Sequence, residues 1–309
     1  MAAWNYGCRR AILNCLRVYI RLSPIQKGKG ILIRFIQKLL EKSDYIEVTS
    51  IYGTRFRLKF PEDHGWECLY TIGTYESGTS ELCKEILKPG DIVFDIGANL
   101  GWYTCLFANL VGPGGSVHAF EPVPEIYEKL VLNCALNNCT NIVKLNKLAV
   151  SESEGFIELF TFRGRPHGET SAKTRSGLNV ERCIKVKATS LDKYIYMQGL
   201  GNTAVTLVKV DVEGAEWQVL KGASTLLSTR PPMWIIELNF DTALSFGWSP
   251  YDLLNYLQHT FKYNFLRIKG AWGTVVNVTK AEECQHGDNV LCFIPELHED
   301  RVDHIRNRK

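Results

Sequence analysis

No C-x-x-C pair occurs among the ten cysteines, and no spacing between them repeats, which argues against zinc. The seven histidines are equally scattered, with no H-E-x-x-H or H-x-H arrangement, and read as surface or core residues. Long apolar runs are missing too. The longest falls far below the roughly 18 to 20 residues that cross a bilayer, and Arg17 interrupts the best candidate. Arginines likewise break any secretory h-region. There is no large excess of one charge: 36 basic against 33 acidic side chains give +3, too weak a field to draw the chain to nucleic acid. Finally, G-x-G-x-x-G is absent, which weighs against a dinucleotide pyrophosphate seated on a helix N-terminus.

What is present is ordinary globular material. Hydrophobic residues make up 45% and charged residues 22%, so a packed core is expected, and 309 residues suit one large domain with an added segment. Cys105 and Cys134 fall within apolar helical patterns, where a thiol behaves as a small hydrophobe, and buried reduced thiols are expected rather than disulfides. The absence of a leader points to the cytoplasm, with an organellar or membrane-peripheral location as the alternative.

Residues 1–44 form a basic helical segment. No acidic residue occurs before position 41, while Arg9, Arg10, Arg17, Arg21, Lys27, Lys29, Arg34 and Lys38 do. Two helical patterns, AILNCLRVYIRL and ILIRFIQKLL, flank a break at Pro24, Gly28 and Gly30. The reading preferred is an accessory helical layer; a basic amphipathic surface for weak membrane contact and a transit peptide are the alternatives. Residues 45–80 read as a β-hairpin turning at Tyr52-Gly53, then a linker. A catalytic domain is expected over 81–298 and a charged tail over 299–309.

The segment DIVFDIGANLGWYTCLFANLVG runs from an apolar strand through Asp95 into a glycine turn and a helix. In a parallel α/β sheet the ligand lies beyond the carboxyl ends of the strands, where this turn must come close to it. Gly97 and Gly101 carry no obstructing side chain, and Asn99 takes a place that tolerates positive φ. Asp95 would suit a cationic ligand with an α-amino group. The next strand, SVHAF, ends at Glu121, where an acid can accept both hydroxyls of a ribose. The third strand is read as NIVKLNKLAV, ending at Ser151, with Ala149 and Ser151 at an adenine edge.

VTLVKVDVEGAE is a fourth strand running into a turn and helix. Lys209 and Asp211 share a face by the two-residue period, and their apolar neighbours leave them to pair with each other or with a ligand. Asp211 is the candidate acceptor orienter or general base. Glu213 and Glu216 lie at the helix start, where carboxylates are favoured; Glu216 is expected to be structural, and Glu213 is left open between structure and catalysis. The fifth strand, PPMWIIELNF, places Glu237 and Asn239 on one face, Glu237 as an acceptor contact. Asp211, Glu237 and Asn239 are weighed as an Mg²⁺ site, and no resident metal is preferred. TVVNV and VLCFIP close the sheet as an antiparallel edge.

Taken together, Asp95 to Gly101, Glu121-Pro122 and the Lys209 to Gly214 block resemble the FkbM-type methyltransferases, as do Gly73-Thr74-Tyr75-Glu76 and Ser190-Leu191-Asp192. The likeness runs over residues 45 to 240 and leaves out the basic segment and the stretch from Gly164 to Arg182. It implies a doubly wound, Rossmann-like α/β sheet of about seven mostly parallel strands. It further implies S-adenosyl-L-methionine as donor, Glu76 among the residues that hold it, and O-methylation of a hydroxyl on a sugar, glycan or other small natural product. The alternatives are an NAD-dependent oxidoreductase, for which Glu121 would look similar, and a non-catalytic S-adenosylmethionine-binding protein.

Overall fold

The computed structural model describes residues 2–22, 29–40, 45–60, 62–63, 66–163, 170–174, 177–270 and 272–306. The chain divides into two compact units, Met1–Tyr75 and Glu76–Lys309. The division falls a few residues before the expected end of the linker.

In the first unit, helices Ala2–Leu22 and Lys29–Leu40 precede the hairpin of β1 (Ile46–Thr49) and β2 (Arg55–Leu58). The pair is antiparallel, with Val48 opposite Phe56. Its turn closes because Gly53 takes φ 81° and the Ser50 and Thr54 hydroxyls meet at 2.6 Å. Among the described residues, no helix is long and apolar enough to cross a membrane.

The second unit is an eight-stranded sheet and a separate three-stranded one. The large sheet uses β3 (Ile92–Ile96), β4 (Ser116–Phe120), β5 (Val143–Asn146), β9 (Leu207–Val210), β10 (Met233–Leu238), β11 (Asn264–Lys269), β12 (Thr274–Val278) and β13 (Asp288–Phe293). Their order is β12-β11-β13-β10-β9-β3-β4-β5. The five strands from β10 to β5 are parallel, and β13 runs antiparallel between β10 and β11. This is a doubly wound sheet whose order reverses at β3, between β4 and β9, so a ligand crevice opens at the carboxyl ends of those strands. Strand β12 extends the expected seven by one, paired with β11 at the sheet's edge.

β3, β9 and β10 are apolar throughout except for Asp95, Lys209 and Glu237, as strands covered on both faces must be. Phe94, Ile96, Val208, Val210, Trp234 and Ile236 are fully buried.

Two expectations are corrected. The third strand is broken: β5 ends at Asn146, and β6 (Ala149–Val150) belongs to the small sheet, where it pairs with β8 (Val180–Thr189) alongside β7 (Gly155–Phe162). Asn146 turns its amide back onto the Ala119 and Lys144 carbonyls, ending the ladder there. The charged tail expected from 299 is, over residues 299–306, part of a helix packed on the domain. Helix Pro295–Arg306 buries Val302 and Ile305, and Arg301 grips Asp91 in a bidentate pair at 2.6 and 2.9 Å. Its many charges disguise a short apolar stripe at i, i+3 spacing.

Candidate functional site

The glycine turn after β3 is built by backbone needs. Gly97, Asn99 and Gly101 take φ values of 82°, 50° and 90°. A Cβ on Gly97 would lie 1.8 Å from the Asp211 carbonyl oxygen, so this glycine lets the ends of β3 and β9 meet. A Cβ on Gly101 would lie 2.6 Å from Leu130 Cδ1, in the next helix. The close approach read from the sequence is therefore, at both positions, an approach of protein to protein.

Asp95 is buried beneath the turn and accepts a 2.5 Å hydrogen bond from the Thr104 hydroxyl. Burial raises its pKa to about 6, although Lys209 and Thr104 act against this. Glu121 accepts from the Asn99 amide at 3.0 Å and the Val123 amide at 2.9 Å, one on each oxygen. Burial raises this carboxyl too, to about 7, against the pull of those two N–H groups. A carboxylate has about four acceptor positions, so two remain for a diol. Ala149 stands in the small sheet, paired with Ala188, and Ser151 follows its strand, its amide bonding the Thr189 carbonyl. The group that meets the Glu121 amide is the Asn146 carbonyl, at 3.1 Å.

A second cluster gathers at the ends of β9 and β10. Lys209 is only 2% exposed, and its Nζ lies 3.1 Å from Asp211 Oδ2 and 4.6 Å from the centre of the Tyr103 ring. Glu76, Asp211 and Glu237 each offer a carboxylate oxygen within 4.8 Å of the other two. Glu76 is held in the left-handed region at φ 41° and accepts from the Tyr103 hydroxyl at 2.7 Å and the Asn289 amide at 3.4 Å. Burial works to lower the Lys209 pKa, but Asp211, Glu76, Asp95 and Glu237 more than offset it, so the ammonium is locked on. Asp211 first, then burial, pushes the Glu237 carboxyl well above the usual carboxylate range. Glu237 therefore keeps its proton.

Glu216 accepts from the Val212 and Gly214 amides, both at 3.2 Å, and so holds the turn after β9, a structural role. Glu213, at φ 52°, accepts from Asn239 Nδ2 at 3.2 Å, and its carbonyl receives the Ser171 hydroxyl at 3.3 Å. Asn239 is committed twice, since its Oδ1 also caps the Phe240–Ser245 helix through the Thr242 amide. The trio weighed for Mg²⁺ is thus not the one the fold assembles: Glu76 stands with Asp211 and Glu237 in place of Asn239.

Sequence reasoning missed Tyr103, Thr104 and Asn289. The first two had a signal, being hydroxyls in the first turn of the helix that follows the glycines. Asn289 had none, since it reaches Glu76 only because β13 inserts beside β10.

Residues 95–266 match the methyltransferase FkbM domain. The chain belongs to that family. It is 32% identical over 162 residues to the 31-O-demethyl-FK506 methyltransferase FkbM of Streptomyces tacrolimicus, covering 44% of this chain and 60% of that one. It is 31% identical over 175 residues to methyltransferase sdnD of Sordaria araneosa (48% and 67%), and 28% identical over 188 residues to the hexuronic acid methyltransferase AglP of Haloferax volcanii (61% and 72%). The match spans well under two thirds of the Streptomyces protein. The family region begins at the Asp95 turn and runs on into β11, later at both ends than the likeness read from the motifs.

Proposed function

We propose that this protein is an S-adenosylmethionine-dependent O-methyltransferase acting on a hydroxyl of a sugar, glycan or other small natural product. The observation that carries the donor assignment is Glu121, a buried carboxyl beside the glycine turn with acceptor positions to spare for two ribose hydroxyls. Family membership supports the same reading, and it weighs against the NAD-dependent alternative. The acceptor class rests on the relatives, among them a hexuronic acid methyltransferase.

The donor set around the turn fits S-adenosylmethionine chemically. Glu121 and Asp95 are acceptors suited to hydroxyl and ammonium groups, and Asn289 Oδ1, beside Glu76, is buried with no hydrogen-bond partner among the described residues. When bound, the donor supplies a sulfonium methyl that needs no further activation. Asp211 then takes the proton of the acceptor hydroxyl, while Lys209 holds that carboxylate in place and Glu237, protonated, donates to the acceptor or to Asp211. The Ser171 hydroxyl stands against the Glu213 carbonyl, which makes Ser171 a candidate for acceptor selectivity.

Titration calorimetry should show S-adenosylhomocysteine binding and no NAD binding. Glu121→Ala should weaken that binding by roughly 1.5 to 3 kcal/mol. Below about pH 7 the Glu121 carboxyl carries a proton and cannot accept from both hydroxyls, so affinity should rise between about pH 6 and pH 8 with proton release. Glu121→Gln should flatten this rise. NAD binding, or a pH-independent affinity in the parent protein, would remove Glu121 from the donor site. A product-mass screen of glycan and lipid-linked acceptors for a methyl gain tests the acceptor class.

Asp211→Asn should lower turnover about a hundredfold or more while leaving donor binding nearly intact, and EDTA should have no effect. One observation favours this base over an Mg²⁺ site at Glu76, Asp211 and Glu237: the Lys209 ammonium already neutralises Asp211. Activity abolished by EDTA and restored by Mg²⁺ would reverse the choice.

A further inference from the structure

Three cysteines outside the proposed reaction centre meet in the interior. Cys105 lies on helix Trp102–Val111, Cys134 in the last turn of helix Pro124–Leu136, and Cys139 just beyond it. Their sulfurs all lie within 4.8 Å of one another, and none of the three residues is more than 2% exposed.

The helix end explains how they converge. Asn138 takes φ 54°, its amide bonds the Ala135 carbonyl at 3.0 Å, and the Cys139 amide bonds the Cys134 carbonyl at 3.2 Å. This is a Schellman ending with Asn in the left-handed position, and it folds the residue after the turn back over the last helical turn. Such endings commonly bring two apolar side chains together there. Here both are thiols, and a third arrives from the neighbouring helix. The Asn137 side-chain amide donates to Cys105 Sγ at 3.4 Å. Leucine or valine would fill the same space without polar atoms, so packing alone does not call for sulfur at all three positions.

We propose that Cys105, Cys134 and Cys139 form a three-thiolate site for a single soft metal ion of the Cu⁺ or Zn²⁺ class. Thiolates select such ions over hard, oxygen-preferring cations. On binding, the thiol protons pass to solvent and three sulfur–metal bonds form, with no change of oxidation state. The route in is short, because Cys139 lies between the exposed residues Asn138 and Thr140. The ion would tie together the two helices that follow β3 and β4. Asn133, one residue before Cys134, already bonds the Leu100 carbonyl of the glycine turn at 2.8 Å, so the site lies directly behind that turn.

The test is an anaerobic titration of the reduced, metal-free full-length protein with Cd²⁺, followed by the ultraviolet absorption of cadmium–thiolate bonds. One ion per chain is expected. Cys139→Ala and Cys134→Ala should each lower the affinity by more than the roughly 10- to 100-fold that loss of an outer partner costs. Replacing the exposed Cys15 and Cys183 with Ser should leave it unchanged. Urea midpoints measured in EDTA establish that the variants fold. Separate Cu⁺ and Zn²⁺ competitions then identify the ion. No stoichiometric Cd²⁺ uptake, uptake indifferent to Cys139, or failure of both Cu⁺ and Zn²⁺ to displace Cd²⁺ would each overturn the proposal. A folded variant that cannot be loaded while the parent can would establish it.

Discussion

Lys209→Met should destabilise the protein by about 3 to 5 kcal/mol, the cost of breaking a buried ion pair from one side. Methionine nearly reproduces the length and bulk of the lysine stem, so the loss is electrostatic rather than a cavity. The residue left behind faces Asp211, Glu76 and Glu237, whose carboxylates crowd within 4.8 Å of one another with their central cation removed. With the ammonium gone, nothing of Lys209 pulls the Glu237 carboxyl down, and it is held still further above its value in the unfolded chain. A carboxyl raised in this way binds its proton more tightly folded than unfolded. The variant should therefore be least impaired below about pH 4.5 and lose stability as pH rises above it. Urea melts at about pH 5 and pH 8 measure this, and a larger loss at the higher pH is expected. Adding Asp211→Asn to Lys209→Met should recover part of the loss, because the two groups are coupled. A single-variant loss below about 1 kcal/mol at both pH values would show that the ammonium is not what holds the carboxylates together.

Gly97→Ala should cost about 2 to 5 kcal/mol, and for a different reason. A left-handed residue other than glycine costs roughly 1 to 2 kcal/mol on its own. The new methyl would in addition sit 1.8 Å from the Asp211 carbonyl oxygen and 2.9 Å from its carbon. Both are backbone atoms between two central strands and cannot rotate aside, so β3 and β9 must separate, at a further cost of about 1 to 3 kcal/mol or more. Gly112→Ala is the control: its φ is also positive, at 61°, but its Cβ would meet nothing within 4 Å. Denaturation midpoints should rank parent, Gly112→Ala and Gly97→Ala in that order. S-adenosylhomocysteine binding should fall in Gly97→Ala alone. Equal losses at the two glycines would remove the inter-strand contact from the account.

The glycine turn, the strand-end acids and the Lys209-Asp211 pairing were legible because each follows from a local period: a strand of known length, a turn, a helix start. The doubly wound class of the sheet was legible through the family resemblance, and parallel strands joined by helices allow few arrangements. What could not be read was whatever depends on two distant segments meeting. Glu76 could be tied to the site by likeness alone, yet its carboxylate joins Asp211 and Glu237 because the Ser77–Ile86 helix starts beside them. Asn239 looked like a partner of Glu237 by alternation, but the strand ends at Leu238, and one residue later the side chain is a helix cap. The break between β5 and β6 was hidden because NIVKLNKLAV is apolar enough for either one strand or two. The three cysteines show no spacing signal because one of them comes from another helix.

Strand β13 carries a consequence for how the chain is made. It lies between β10 and β11, yet it is synthesised after both, as are Asn289 and Arg301. Until then the nascent sheet holds a strand-wide slot between two apolar edges, and Glu76 and Asp91 wait without their last partners. Such open edges are sites of wrong pairing, and closing them requires contacts of very long sequence separation. A ribosome stalled just before Asp288 should therefore hold a protease-sensitive, chaperone-bound chain, and release of the remaining residues should close the sheet.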